Sequence, residues 1–299
     1  LNLSKPIISV IVPVYNCEST VRPFLKCLLN QKNIEPEEVE IVIVDNGSND
    51  KTPDLVREFP VKLYFETSVR SPYAARNRGI VESSGDILAF TDANKFPGEK
   101  WIAAGLEALR ETGAEIAGGE IRFEIGKEPS AAELYDSITF NNNRRLVHKE
   151  RASVTGNFFV LRSQFEEVGL FPEGFRSGMD VWWSQRAVKN GAVLAFAENA
   201  VVTCQPRNFQ EVMRKSYRVG VTHPFIMAER GIPIGRILIE TLKTFAPPAF
   251  SPLKECVDVQ ESGVSIFALW GTAWCSKIMM GFGRTSGIFK LPRFLKQTP

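Results

Sequence analysis

Residues 7–16, IISVIVPVYN, and 39–50, VEIVIVDNGSND, decide the fold. Each is a short β-branched run that stops at a polar turn, and such a run packs as a strand buried on both faces of a parallel sheet. Between them, 20–31 reads as a helix. After the second run, Thr52-Pro53 sets a helix N-terminus with proline in its first turn. Outward from this pair the rhythm continues with a strand at 61–65, a helix at 72–83 and a strand at 86–91 (DILAFT). Strand and helix alternating in this way predict an α/β domain, a mostly parallel sheet with helices on both faces. Ligands of such sheets sit at the carboxyl ends of the strands. That sets residues 13–16, 45–50 and 92–94 along one rim.

Beyond residue 95 the pattern predicts helices over 98–110 and 130–147, strands over 115–123 and 156–161, and an irregular loop FPEGFRSGMD at 171–180. A helix at 181–190 and a strand at 192–203 complete the body. Pro247, Pro248 and Pro252 interrupt the C-terminal stretch, which abandons the βα rhythm.

The ligand class is narrowed by what the first turn lacks. A dinucleotide-binding unit needs glycines directly after its first strand, so that backbone can approach a pyrophosphate. Here that turn reads VYNCEST, without glycine, and no GxxxxGK[ST] loop occurs anywhere. Five cysteines without CxxC spacing argue against a disulfide framework or a zinc site, and point to a reducing compartment. With two histidines, His148 and His223, a His-centred triad is poorly supported. The net charge of +2 by itself argues neither for nor against a polyanion, and no nucleic-acid partner is expected. No charged-then-apolar leader opens the chain, which starts at Leu1.

Four blocks in order carry a resemblance: VIVPVYN, VIVDNGSNDKT, AARNRG with SSGDILAFTDAN, and GLFPEGFRSGMDVWWSQRAVKNG. Together they resemble the inverting family 2 glycosyltransferases, which have the Rossmann-like GT-A fold. The resemblance implies a domain over 1–225, with a nucleotide-sugar half to about 95 and an acceptor half to about 225. A mainly helical C-terminal extension over 226–299 would complete the chain.

It also implies roles, residue by residue. Asp45, ending a buried strand, would accept the imide N–H of a uracil or thymine, with Pro13 and Tyr15 lining the same pocket. Arg76 would meet the pyrophosphate, since a guanidinium fork matches two oxygens at once; Arg70 is a second candidate. Asp92 and Asn94 occupy the family's Asp-x-Asp positions, where they would meet ribose and a Mg²⁺ or Mn²⁺ bridging the phosphates. Asn94 removes one of the two charges, so weak metal binding is expected. Asp180 stands as the catalytic base, with capping of the following helix as its plainer role. Gly156, Asn157, Trp182 and Trp183 are placed on the acceptor side, although tryptophan in a helix is more often core. Cys204 stands where many relatives carry a metal-reaching His. Arg207, Arg214 and Arg218 either meet phosphates or solvate a helix.

The activity this implies is transfer of a sugar from a nucleoside diphosphate, UDP first, to an acceptor hydroxyl with inversion. The acceptor would be a glycan or a lipid-linked glycan, as in polysaccharide biosynthesis. The Gln-x-x-Arg-Trp motif of processive members is missing, so single additions are expected. The competing expectation is a degenerate relative that binds nucleotide-sugar or glycan without turnover.

Residues 231–299 hold eight Lys/Arg against four Asp/Glu. The stretch 263–283 has the length of a membrane span but contains Lys277 and four glycines, which argue against one. Phe267, Trp270, Trp274 and Ile278 on one helical face, with Lys277, Arg284, Lys290 and Arg293 nearby, suit a helix lying in a membrane interface. Packing of that helix on the body is the plainer alternative. The expected location is cytoplasmic, peripheral at the inner face of a membrane.

Overall fold

The computed structural model describes residues 7–140, 142–250 and 262–295, apart from the side chain of Arg293. Two compact units emerge, one from Leu1–Arg122 and Asn141–Cys204, the other from Phe123–Phe140 and Gln205–Pro299. The expected boundary at 225 therefore moves. Helix α9, Phe209–Glu229, runs unbroken through it, because Asn208 caps its start by accepting from the Glu211 amide while Glu211 accepts from that of Asn208.

The first unit is built on an eight-stranded sheet in the order β3-β2-β1-β4-β7-β6-β8-β5. Its strands are β1 (Ile8–Val14), β2 (Val39–Asp45), β3 (Lys62–Phe65), β4 (Ile87–Thr91), β5 (Phe96–Pro97), β6 (Ile116–Phe123), β7 (Asn157–Leu161) and β8 (Leu194–Cys204). The helices are α1 (Val21–Leu29), α2 (Thr52–Val56), α3 (Pro72–Glu82), α4 (Trp101–Thr112), α6 (Asn143–Arg145), α7 (Ser163–Val168) and α8 (Met179–Lys189). Between α4 and α6 the chain forms α5, Ala131–Thr139, in the second unit.

The parallel arrangement holds across β3-β2-β1-β4. The apolar runs of β1 and β2 are buried as the composition of 8–14 and 41–44 requires; Val10, Ile11, Val12, Val42 and Ile43 are fully enclosed. Register sets Val14 beside Asp45 and Asp45 beside Phe65, so Asp45 closes β2 at the rim. Beyond β4 the order becomes mixed. Strand β7 runs antiparallel to β4, with Thr91 opposite Asn157, so the chain enters β7 from the rim side. Strand β6 is antiparallel to β7 in turn.

The single helix expected over 130–147 is broken. Helix α5 ends at Thr139, and α6 starts afresh where the Asn142 side chain accepts from the Arg145 amide at 2.8 Å. Asparagine caps a helix better than it continues one. A π-helical turn, Leu146–Glu150, completes the segment.

The second unit packs α5, α9 and α11 (Ile266–Phe294) around Leu134, Tyr135, Val212, Leu269 and Ala273, with α10 (Ile234–Lys243) against α9 and α11. Asp136, fully buried, accepts from the amide and guanidinium of Arg207, both at 2.9 Å. That pairing gives Arg207 a structural role. Gly283, one of the glycines that argued against a span, has another use, shared with Gly220 and Gly287. A Cβ on Gly220, Gly283 or Gly287 would stand 2.2 Å from a backbone oxygen of the facing helix, so α9 and α11 touch backbone to backbone. Among the described residues no helix is long and apolar enough to cross a membrane.

The face expected to lie in a membrane is partly spoken for. Trp270 Nε1 donates to the Pro248 carbonyl and Trp274 Nε1 to that of Phe245, at 2.8 and 3.0 Å. Phe250 stacks flat on Trp270. Pro252 and Cys256 lie outside the described residues.

Candidate active site

The rim is assembled from the turns after β1, β2 and β4 together with one face of α3. Mutual hydrogen bonds join the first two turns. The Asn16 amide donates to Ser48 Oγ, the Asn49 amide to Asn16 Oδ1, and the Cys17 amide to Thr52 Oγ1, all at 2.8–2.9 Å. Asn16 takes φ +47°, a left-handed conformation that asparagine tolerates better than most residues. Burial pushes the Cys17 thiol up to about 11, so this cysteine is an inert packing group. The side chain of Asn46 donates to the carbonyls of Glu66 and Val69, fixing the chain beyond β3.

Within this frame Asp45 is 2% exposed. Its Oδ2 accepts from the amides of Gly47 and Ser48 at 3.0 and 2.9 Å. Its Oδ1 is buried and has no hydrogen-bond partner. A buried carboxylate oxygen left empty costs free energy, which a donor on a ligand would recover. Tyr15 stands exposed at the end of β1 with the Arg70 guanidinium 5.4 Å from its ring centre. Pro13 is half-buried in β1.

Helix α3 brings three groups to the rim at helical spacing. Ser71 caps it, accepting from the Tyr73 amide and donating to the Phe175 carbonyl. Tyr73, Arg76 and Asn77 then fall on one face, as i, i+3 and i+4 must. Asn77 exchanges hydrogen bonds with the Phe171 backbone at 2.8 and 3.0 Å, which fixes the FPEGFRSGMD loop. Arg76, 4% exposed, donates to Asp92 Oδ1 at 2.6 Å, and its buried Nε has no partner. Among the described residues, Asp45 Oδ1 and Arg76 Nε are the buried side-chain atoms without a hydrogen bond, and both belong to the rim.

The other oxygen of Asp92 is taken as well. Lys95 Nζ donates to Oδ2 at 2.5 Å, and this lysine side chain is 4% exposed. Sequence alone singles out Asn94 and misses Lys95, although it stands one residue further on. Asn94 itself is exposed. Among the described residues no three of His, Cys, Asp and Glu converge as a metal cage would require, and Cys204 is buried at the end of β8. The donors offered to a divalent ion at 92–94 thus amount to a carboxylate whose two oxygens already carry cations and a neutral amide. These residues fit a Mg²⁺ or Mn²⁺ poorly.

Asp180 lies in the first turn of α8, behind Gly178 at φ +83°. It does not cap the helix. Its Oδ1 accepts from Tyr73 Oη and its own neighbour's amide, both at 3.0 Å. Its Oδ2 accepts from the amide and hydroxyl of Thr155, both at 3.1 Å. Tyr73 Oη accepts in turn from the Met179 amide at 3.0 Å. Burial, then the Asp180 charge, raise the Tyr73 phenol well above its ordinary pKa, so it stays protonated and donating. Four donors fill the lone-pair sites of the carboxylate. Two are hydroxyls, which can rotate away as an acceptor hydroxyl approaches. Tyr73 and Thr155 are not singled out by sequence, since each is legible only through the partner it meets.

Two expected acceptor-side residues are corrected. Asn157 is fully buried: Oδ1 accepts from Trp101 Nε1, and Nδ2 donates to the carbonyls of Glu120 and Ala200, at 2.7–2.8 Å. It clamps strands together and offers nothing to a ligand. Trp183 is equally enclosed, stacked on Phe165 at 4.3 Å with its Nε1 on the Gly169 carbonyl. Trp182 remains half-buried, with the Arg186 guanidinium 5.3 Å from its ring. Gly156 lies against the stem of Lys95, where an added Cβ would stand 2.7 Å from Cε.

The family model for "Glycosyl transferase family 2" matches residues 9–169. Glycosyltransferase AglE of Haloferax volcanii is 32% identical, over 95% of this chain and 97% of that protein. The chain therefore belongs to glycosyl transferase family 2 and is a glycosyltransferase. Solved structures support the GT-A fold. The mannosyltransferase PcManGT from Pyrobaculum calidifontis, in complex with GDP-Man and Mn²⁺, has a TM-score of 0.58 at 18% identity, covering 99% of this chain and 76% of that one. S. aureus TarS 1–349 in complex with UDP-GlcNAc has a TM-score of 0.53 at 17% identity, covering 97% and 90%.

Proposed function

We propose that this glycosyltransferase takes its sugar from a uridine diphosphate donor and passes it, with inversion and one unit at a time, to a hydroxyl of a glycan or lipid-linked glycan. The observation that carries the donor is the empty Oδ1 of Asp45, a buried acceptor at the rim. A uracil imide supplies the donor it lacks; adenine presents no ring N–H on its pairing edge. The UDP-GlcNAc complex of TarS agrees with this choice, and the GDP-Man complex of PcManGT makes guanine, which also carries a ring N–H, the base to compare. Arg76 and Asp92 then face diphosphate and ribose.

Asp180 acts as the base. It is oriented by Tyr73 and Thr155, and takes the acceptor proton while the hydroxyl oxygen attacks the anomeric carbon and the diphosphate departs from the opposite side. Trp182 offers the sugar an aromatic face beside that base. The departing diphosphate needs positive charge, which a divalent ion at Asp92 and Asn94 would supply only weakly.

The second unit rests on a membrane surface through Ile234, Leu238, Ile239 and Leu242 of α10, which are 47–71% exposed, with Arg236 and Lys243 on the same helix. The enzyme then works at the cytoplasmic face, where a lipid-linked acceptor is within reach. Thermal shift with UDP, GDP and ADP tests the donor. At a hundredfold its dissociation constant a ligand adds about 2.7 kcal/mol. UDP is expected to raise Tm most; a shift by ADP but not UDP overturns the Asp45 assignment.

A further inference from the structure

We infer that Arg76 and Lys95 form a built-in cation pair for the donor's diphosphate, so that nucleotide binding needs no divalent ion. The inference rests on the reading of the rim as a nucleoside-diphosphate site and adds the agent that holds the phosphates. Two cations, each at most 5% exposed, share the single carboxylate of Asp92, at 2.6 and 2.5 Å. An ammonium has three protons and Asp92 engages one; the Arg76 guanidinium has a buried Nε with no partner at all. The trio therefore carries one excess positive charge and unspent donors, and burying such charge is costly unless an anion completes it. A diphosphate, with several oxygens and a charge that grows as the sugar leaves, is the anion the rim is shaped to receive.

A second observation shows that the lysine's place is prepared. Its stem lies against Gly156, where an added Cβ would stand 2.7 Å from Cε and 3.1 Å from Cδ and Nζ, so a side chain there would push the lysine aside. Gly156 thus serves the donor side by leaving room for Lys95. The change at 94 is consistent with this. A carboxylate there would belong to a metal-bridged rim, whereas a neutral, exposed Asn leaves the charge balance to the two cations.

The experiment is calorimetric titration of the full chain with inorganic pyrophosphate and with UDP, each in EDTA and in Mn²⁺. Wild type is expected to bind both in EDTA, with affinities within about threefold of those in Mn²⁺. Lys95→Met should weaken both ligands at least tenfold in EDTA, Lys95→Arg should retain most of the binding, and Gly156→Ala should weaken both by displacing the lysine stem. Unchanged melting temperatures for Lys95→Met and Lys95→Arg separate lost binding from lost folding. Binding of either ligand only in Mn²⁺, or no binding of pyrophosphate under either condition, overturns the cation pair. Pyrophosphate binding without any gain for UDP leaves the cation pair standing and removes the base assignment of Asp45.

Discussion

The donor rim and the junction of β6, β7 and β8 are both polar, both buried and only a strand apart, yet they are finished differently. At the junction every demand is met: Asn157 satisfies Trp101, Glu120 and Ala200, while Asn143 holds the carbonyls of Gly119 and Asn157 and accepts from Ser153 and Val154. At the rim an oxygen of Asp45 and a nitrogen of Arg76 are left over. A closed polar network specifies a fold, whereas an unfinished one leaves atoms that a ligand can complete. The difference sets Asn143 and Asn157, which hold the structure, apart from Asp45 and Arg76, which we assign to the donor.

The largest expected effect strikes the rim and largely spares the fold. Asp180→Asn keeps size but removes the atom that takes a proton, and loss of a general base typically costs about 10²–10⁴ in rate. Transfer should fall by that factor while UDP affinity holds; Tm should drop modestly, because the new amide nitrogen faces two of the four donors that the carboxylate accepted. Near-normal transfer would remove Asp180 as the base.

Asn157→Leu should do the reverse. It strands an indole N–H and two carbonyls in the interior, at roughly 1–3 kcal/mol each, so chemical denaturation should show a loss of several kcal/mol. UDP affinity, measured well below the new midpoint, should be nearly unchanged. A variant that is stable but fails to bind would return Asn157 to the ligand side.

How much of the fold and the rim is legible in the sequence depends on what each residue relies on. Strands β1, β2 and β4 declare themselves, because burial on both faces demands near-continuous apolar runs. Asp45 and Asp92 stand at the rim for the same reason, since a strand end is a local feature; Arg76 reaches it from α3, whose place follows from the βα alternation. Tyr73 and Thr155 are not legible, because their significance lies in distant contacts such as that of Tyr73 with Asp180, over a hundred positions along the chain. Lys95 is missed although its partner Asp92 is three residues away, because its burial is visible only in the fold. Asn157 is misplaced by sequence because a polar residue at a strand end looks the same whether it faces a ligand or a neighbouring strand. Residues 263–283 are ambiguous for a similar reason: their apolar composition suits lipid, and it suits equally the backbone contact that Gly283 makes with α9.

A smaller effect belongs to the leftover oxygen itself. Asp45→Ala removes the proposed acceptor for the base, and a hydrogen bond to a charged group contributes about 1.5–3 kcal/mol. UDP should bind about tenfold to a hundredfold more weakly. Pyrophosphate, which has no base, should bind as before. Equal losses for both ligands would show that Asp45 acts by shaping the turn at Gly47 and Ser48.

The smallest effect tests the satisfied class by pH, in the second unit. His223 Nδ1 accepts from the Arg284 guanidinium at 2.9 Å, while Arg284 also donates to the Glu240 carbonyl at 3.0 Å. Burial, with the Arg284 and Arg230 charges, lowers the imidazole to about 4. Above pH 6.5 the ring is neutral folded or unfolded and contributes no pH dependence. Below that value the unfolded chain takes up a proton that the folded chain refuses until about pH 4. Stability must therefore fall with pH across that window. Since one pKa unit corresponds to 1.36 kcal/mol and the ring is only partly enclosed, the loss between pH 7 and 5 should be about 1–2 kcal/mol. His223→Gln keeps an acceptor for Arg284 but cannot titrate. Comparing the pH 7 and pH 5 melting temperatures of both proteins isolates this residue from the carboxylates that titrate alongside it. The variant should lose less on acidification than wild type. Equal losses in the two would mean that His223 is protonated in the folded state and that its pairing with Arg284 does not hold in solution.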